Sequence, residues 1–238
     1  MSTGYRVYPV IVGDMVDVAK WVDSTVARRI RKVGDDPGRR SLLIATAAEA
    51  IDEEGPRVGM AQIAERAGIP RPHAYRYVES KKQLDLDVAR KASADLLTEV
   101  RPQLSRSGTP YEIVHGIVAV ITEWAAQHPN LYRFVAAQKQ TKALHQARMG
   151  RSRFLDELIA AMAAYLHPTD VVPKAPDGVL AGLIGMVDAG LIWWLDHKDE
   201  TQDEVVDRLS RQVTLVLEDM LGQLGYDVPD DMVFGPGA

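Results

Sequence analysis

Residues 67–84 read AGIPRPHAYRYVESKKQL. Two arginines, two lysines, a histidine and two tyrosines fall within a few turns of a chain of net charge −5. Those residue types suit a polyanion. Arginine can bond guanine O6 and N7 bidentately in a major groove, and a tyrosine ring can lie against a thymine methyl. A helical wheel settles whether they share a face. With Ala74 and Val78 turned inward, Pro72 and Arg76 point outward, flanked by Arg71, His73, Tyr75 and Tyr77. Lys81 and Lys82 open the following helix, where free backbone N–H groups and the helix dipole already favour an anion.

The charge of the chain is divided in the same sense. Residues 1–91 carry 16 Lys+Arg against 13 Asp+Glu, a net of +3; residues 92–238 carry 12 against 20, a net of −8. A basic front on an acidic remainder suggests a division of labour, with a polyanion as one possible partner for the front.

The elements that must position these residues all read as helices. Met15, Val18, Val22, Val26 and Ile30 recur at helical spacing, and GDDPG at 34–38 breaks the chain. A helix from Ser41 to Glu54 stops at Gly55-Pro56. A short helix bearing Met60, Ile63, Ala64 and Ala67 ends at Gly68, and a brief turn leads into RPHAYRYVE. Three short helices, the last two joined by a tight turn, describe a helix-turn-helix. Behind them, Ser80 with Gln83, Thr109-Pro110 with Glu112, and Thr201 with Glu204 read as capping boxes opening further helices. Others start at Pro129, cover 143–166, and run from Asp177 to Leu195. The last holds the run VLAGLIGMVDAGLIWWL, which reads as a buried helix rather than a membrane span. The fold class is therefore all-α. Residues 1–37 form an extension with an amphipathic helix, 38–90 a three-helix DNA-binding domain, 91–226 a helical bundle and 227–238 a tail.

RRSLLIATAAEAIDEEG followed by MAQIAERAGIPRPHAYRYVESKKQL resembles the DNA-binding domain of the TetR family of helix-turn-helix transcriptional regulators, over about residues 38–90. The resemblance implies that Arg71 reads bases, that Pro72 and Tyr75 make apolar or base contacts, and that His73, Tyr77 and Lys81 hold the phosphate backbone. Arg76 shares the outward face. Arg40 belongs to a basic set with Arg28, Arg29, Arg31, Lys32 and Arg39, either an arm along the DNA or the solvated side of a packing helix. Gly59 stands where the family usually has a Thr or Ser cap, which removes one possible phosphate contact.

The resemblance also implies a rear domain that dimerises and encloses an effector. Gly178, Gly182, Gly185 and Ala189 make a smooth stripe on one helix, suited to a dimer interface or to tight packing within one subunit. Trp124, Tyr132, Phe134, Met162, Tyr165, Met186 and Trp193 could line an apolar pocket or fill an ordinary core, with His115 as a polar group among them. Cysteine is absent, the six histidines form no HxxxH or HExxH pair, and no Gly-rich loop follows a strand. The sequence thus predicts no enzyme, metal site, cofactor or membrane anchor. It predicts a cytoplasmic homodimeric repressor that binds a palindromic double-stranded operator and is released by a small apolar or amphipathic effector. The alternative is a helical interaction module that has lost DNA binding.

Overall fold

The computed structural model describes residues 36–139, 177–223, 225 and 232–233. The expected helices at 14–32 and 143–166, and most of the tail, lie outside the described residues. Among the described residues the elements are all helical: α1 (Pro37–Glu54), α2 (Met60–Arg66), α3 (Arg71–Tyr77), α4 (Lys81–Leu104), α5 (Pro110–Gln127), α6 (Pro129–Lys139), α7 (Asp177–His197) and α8 (Gln202–Gln223).

Helix α1 begins four residues earlier than Ser41. Asp36 caps it, accepting from the backbone N–H groups of Gly38 and Arg39, and Pro37 occupies the first helical position. The second half of GDDPG is therefore a helix start, because proline's fixed φ and missing N–H suit the first turn. Leu43, Ala47, Ala50 and Ile51 form its buried side. Gly55 closes it at φ +88°, a conformation that glycine adopts without a Cβ penalty.

Two of the three expected capping boxes form completely. Thr109 and Glu112 bond each other's backbone N–H at the head of α5, and Thr201 and Glu204 do so at α8. Ser80 caps α4 from one side only, since the Gln83 amide turns forward to Asp87. Gly59, which has no side chain to cap α2, is met from the other direction: its N–H donates to Gln62 Oε1 at 2.9 Å. Thr109→Ala is expected to cost about 1 kcal/mol, read as a lowered midpoint in thermal denaturation.

The core is continuous. Ile63, Ala74, Val78 and Leu84 of the front share it with Trp124, Tyr132, Leu191 and Leu209 behind. Helix α4 is one unbroken rod across residue 90, and α1 packs against both α4 and α6. Helix α7 departs from the expected buried helix. It is long and apolar enough to cross a membrane by length and composition, yet only a third of that stretch is buried. Leu180, Leu183, Val187 and Leu191 face the bundle, while Gly178, Gly182, Gly185 and Ala189 face out.

Candidate nucleic-acid interface

Gly68 sets the angle between α2 and α3. At φ +64° it turns the chain out of α2, and the Ile69 N–H returns to the Ala64 carbonyl at 2.9 Å. Pro70 then ends the turn, and its carbonyl accepts from the N–H groups of His73 and Ala74. Ile69, Ala74 and Val78 are buried and pin α3 from below. Val78 itself lies just past the helix end, in extended conformation.

With those residues fixed, Arg71, Pro72, His73, Tyr75 and Arg76 are all exposed. Tyr75 is 45% exposed. Tyr77 differs from its expected place. It is half-buried and packs against the core.

Charge is arranged selectively around this face. Neighbouring cations are neutralised. Arg66 pairs with Glu53 and Glu54, which hold its guanidinium above the usual arginine range. Arg39 pairs with Asp36, and Arg40 reaches the buried Asp87 at 2.5 Å, a carboxylate also held by Arg90. Lys81 pairs with Asp85, one turn along α4. By contrast, Arg71, Arg76 and Lys82 form no ion pair or side-chain hydrogen bond among the described residues. Among the described residues of the front, unpaired positive charge falls on α3, on Lys82 at the head of α4 and on Arg57 in the turn before α2. Of the expected contact residues, Arg40 and Lys81 thus begin engaged with carboxylates, a pairing that spans 47 positions for Arg40 and leaves no local sequence signal. Asp85→Asn is expected to release Lys81, tightening binding to random duplex DNA and steepening its salt dependence by about one unit in a titration.

The residues expected to form an effector pocket divide. Trp124, Tyr132 and Phe134 are buried together, with Met186 packed against the same core. Trp193 and His115 lie elsewhere. Trp193 is 54% exposed and stacks on His197, with ring centroids 3.7 Å apart. His115 meets Asp207 at 3.2 Å, beside Tyr111, and Asp207 lines an open, charged cleft of about 300 Å³ with Glu204, Arg208, Arg211 and Gln212. Met162 and Tyr165 are outside the described residues. Sequence reasoning passed over Asp52, His128 and Asn130, which join the front of the molecule to the bundle; the only sequence signal was the helix-ending His-Pro at 128–129.

A family model described as bacterial regulatory proteins, tetR family, matches residues 43–88, the span from α1 to the first turns of α4. An uncharacterised helix-turn-helix transcriptional regulator of Mycobacterium tuberculosis is 26% identical over 72% of this chain and 74% of its own. Among solved structures, a tetR-family regulator from Streptomyces coelicolor superposes with a TM-score of 0.61, at 19% identity, over 78% of this chain and 82% of that one. The Thermus thermophilus repressor FadR, solved in complex with lauroyl-CoA, gives 0.56 at 19% identity, over 76% and 95%.

Proposed function

We propose that this chain, which belongs to the TetR family of helix-turn-helix transcriptional regulators, is a cytoplasmic repressor that grips a palindromic operator as a homodimer and releases it on binding a small apolar or amphipathic effector. The observation that carries the reading is the outer face of α3. Among the described residues its arginines are left without carboxylate partners, while Arg39, Arg40, Arg66 and Lys81 of the same domain are paired. Arg71 at the start of α3 and Arg76 near its end are the base readers. Pro72 and Tyr75 make apolar contacts, His73 and Lys81 touch phosphates, and Tyr77 and Arg40 steady the domain from its sides.

The dimer reading rests on α7 and α8. The outward stripe Gly178, Gly182, Gly185 and Ala189 has open space where Cβ atoms would stand at its three glycines. Leu215 and Val216 on α8 are exposed as well. Two such hairpins would bury these surfaces in a four-helix contact and hold two recognition helices about 34 Å apart, one turn of DNA. The effector would enter near Trp124, Tyr132, Phe134 and Met186. Ligand binding of this kind accompanies the fold in FadR with lauroyl-CoA.

A gel-shift series on the DNA upstream of the chain's own gene tests the reading. Expected is a single shifted species whose affinity falls steeply with salt and exceeds that for random DNA by at least about 10³. Equal affinity for both DNAs at every salt concentration would sink it and favour an interaction module.

A further inference from the structure

Pro129 forces a corner between α5 and α6. Proline has no N–H to continue α5 and disfavours helical backbone in the residue before it, so His128 leaves the helix at φ −125°, ψ 57°. Three side chains of this one turn then reach in two directions. His128 Nδ1 donates to Asp52 Oδ2 at 2.6 Å, and Asn130 Nδ2 donates to the Asp52 carbonyl at 2.8 Å. That carbonyl lies in the last turn of α1, where no intrahelical partner exists. On the other side, the Tyr132 hydroxyl donates to Asp188 Oδ1 on α7 at 2.8 Å. Trp124 fills the space between, its ring 5.1 Å from that of His128 and 6.2 Å from that of Tyr132.

These bonds are firm for physical reasons. Tyr132 is 4% exposed, and burial beside a carboxylate raises its pKa well above the ordinary phenol range, so the hydroxyl stays a donor. Backbone bonds from His128 to Trp124 and from Tyr132 to His128 make the corner one rigid piece.

We propose that the 128–132 corner is a positioning joint that ties the recognition domain at Asp52 to helix α7 at Asp188, so that displacement of α7 reaches α1 without passing along α4. The covalent route runs through α4, the rod that follows α3. The joint supplies a second, non-covalent route from the proposed dimer helix to the head. Its consequence for DNA rests on the regulator reading above; its mechanical content does not. His128, Asn130 and Tyr132 act through Asp52 and Asp188, without touching DNA.

Hydrogen exchange of the full-length protein reads the joint independently of DNA. Tyr132→Phe removes one oxygen on the α7 side. It is expected to speed amide exchange roughly threefold or more at the far end, in residues 48–54 of α1. His128→Ala is expected to do the converse at residues 184–192 of α7. His128→Asn, whose amide can stand where Nδ1 does, should restore the wild-type pattern. Faster exchange confined to α5 and α6 in both variants, with unchanged circular dichroism, overturns the joint. A gel shift and sedimentation velocity on the same samples separate the two readings. Propagated exchange in a protein that neither dimerises nor shifts DNA upholds the joint and removes the regulator. Propagated exchange together with a several-fold change in DNA affinity for Tyr132→Phe upholds both.

Discussion

Arg71→Ala is expected to lower affinity for the operator by about 10- to 100-fold while leaving affinity for random DNA nearly unchanged. The size follows from the chemistry: one bidentate arginine–guanine pair discriminates by about 1–3 kcal/mol. The location follows from the fold. Arg71 is the first residue of α3, and in helix-turn-helix proteins the N-terminal residues of the recognition helix meet the base edges. Pro70 caps that helix without using a side chain, so Arg71 is exposed and unencumbered at its tip. Lys82→Ala provides the contrast. Lys82 is exposed at the head of α4, a helix N-terminus suited to phosphate. Its loss should weaken operator and random DNA alike and reduce the salt slope by about one. Competition gel shifts over a range of salt separate the two effects. If Arg71→Ala weakens both DNAs equally, Arg71 is a phosphate contact and the base reader must be sought at Arg76 or Tyr75.

The helix-turn-helix was legible because its information is local. Ala74 and Val78 fix the face of α3, Gly68 the turn and the threonines two of the caps; all are read within a few residues. What the sequence hid depends on residues far apart in the chain. Arg40 looks like a DNA contact until α4 brings Asp87 against it. Lys81 is the exception: its partner Asp85 lies only four residues on, a local i,i+4 pair. His128 looks like any solvated histidine until α1 delivers Asp52 to it. Trp193 misled in a different way. Its aromatic ring suggested a pocket, but it lies four residues beyond Ala189 and extends the exposed stripe of α7. Residue type pointed to one role and helical phase to another.

Helical phase also separates two glycines of α7 that composition treats alike, and their substitution should split folding from association. A Cβ at Gly190 would stand 2.7 Å from Leu209 Cδ2, and Leu209 is 1% exposed. Gly190 is therefore the small residue that lets α7 and α8 meet within one subunit. Gly190→Val is expected to overpack that contact at a cost of about 1–3 kcal/mol, lowering the thermal midpoint by roughly 2–12 °C. At Gly182 a Cβ meets nothing within 4 Å. Gly182→Ala should leave the subunit as stable or raise it by about 0.5–1 kcal/mol, since alanine restricts the unfolded chain. Gly182→Arg places a bulky charge in the middle of the proposed interface. It should halve the mass in sedimentation while the circular dichroism spectrum stays that of the wild type. A separated head binds one half-site, so the same variant should lose most operator affinity with its recognition helix intact. If Gly182→Arg remains a dimer with wild-type DNA binding, the stripe is ordinary solvent-facing surface and the partner subunit docks on another face.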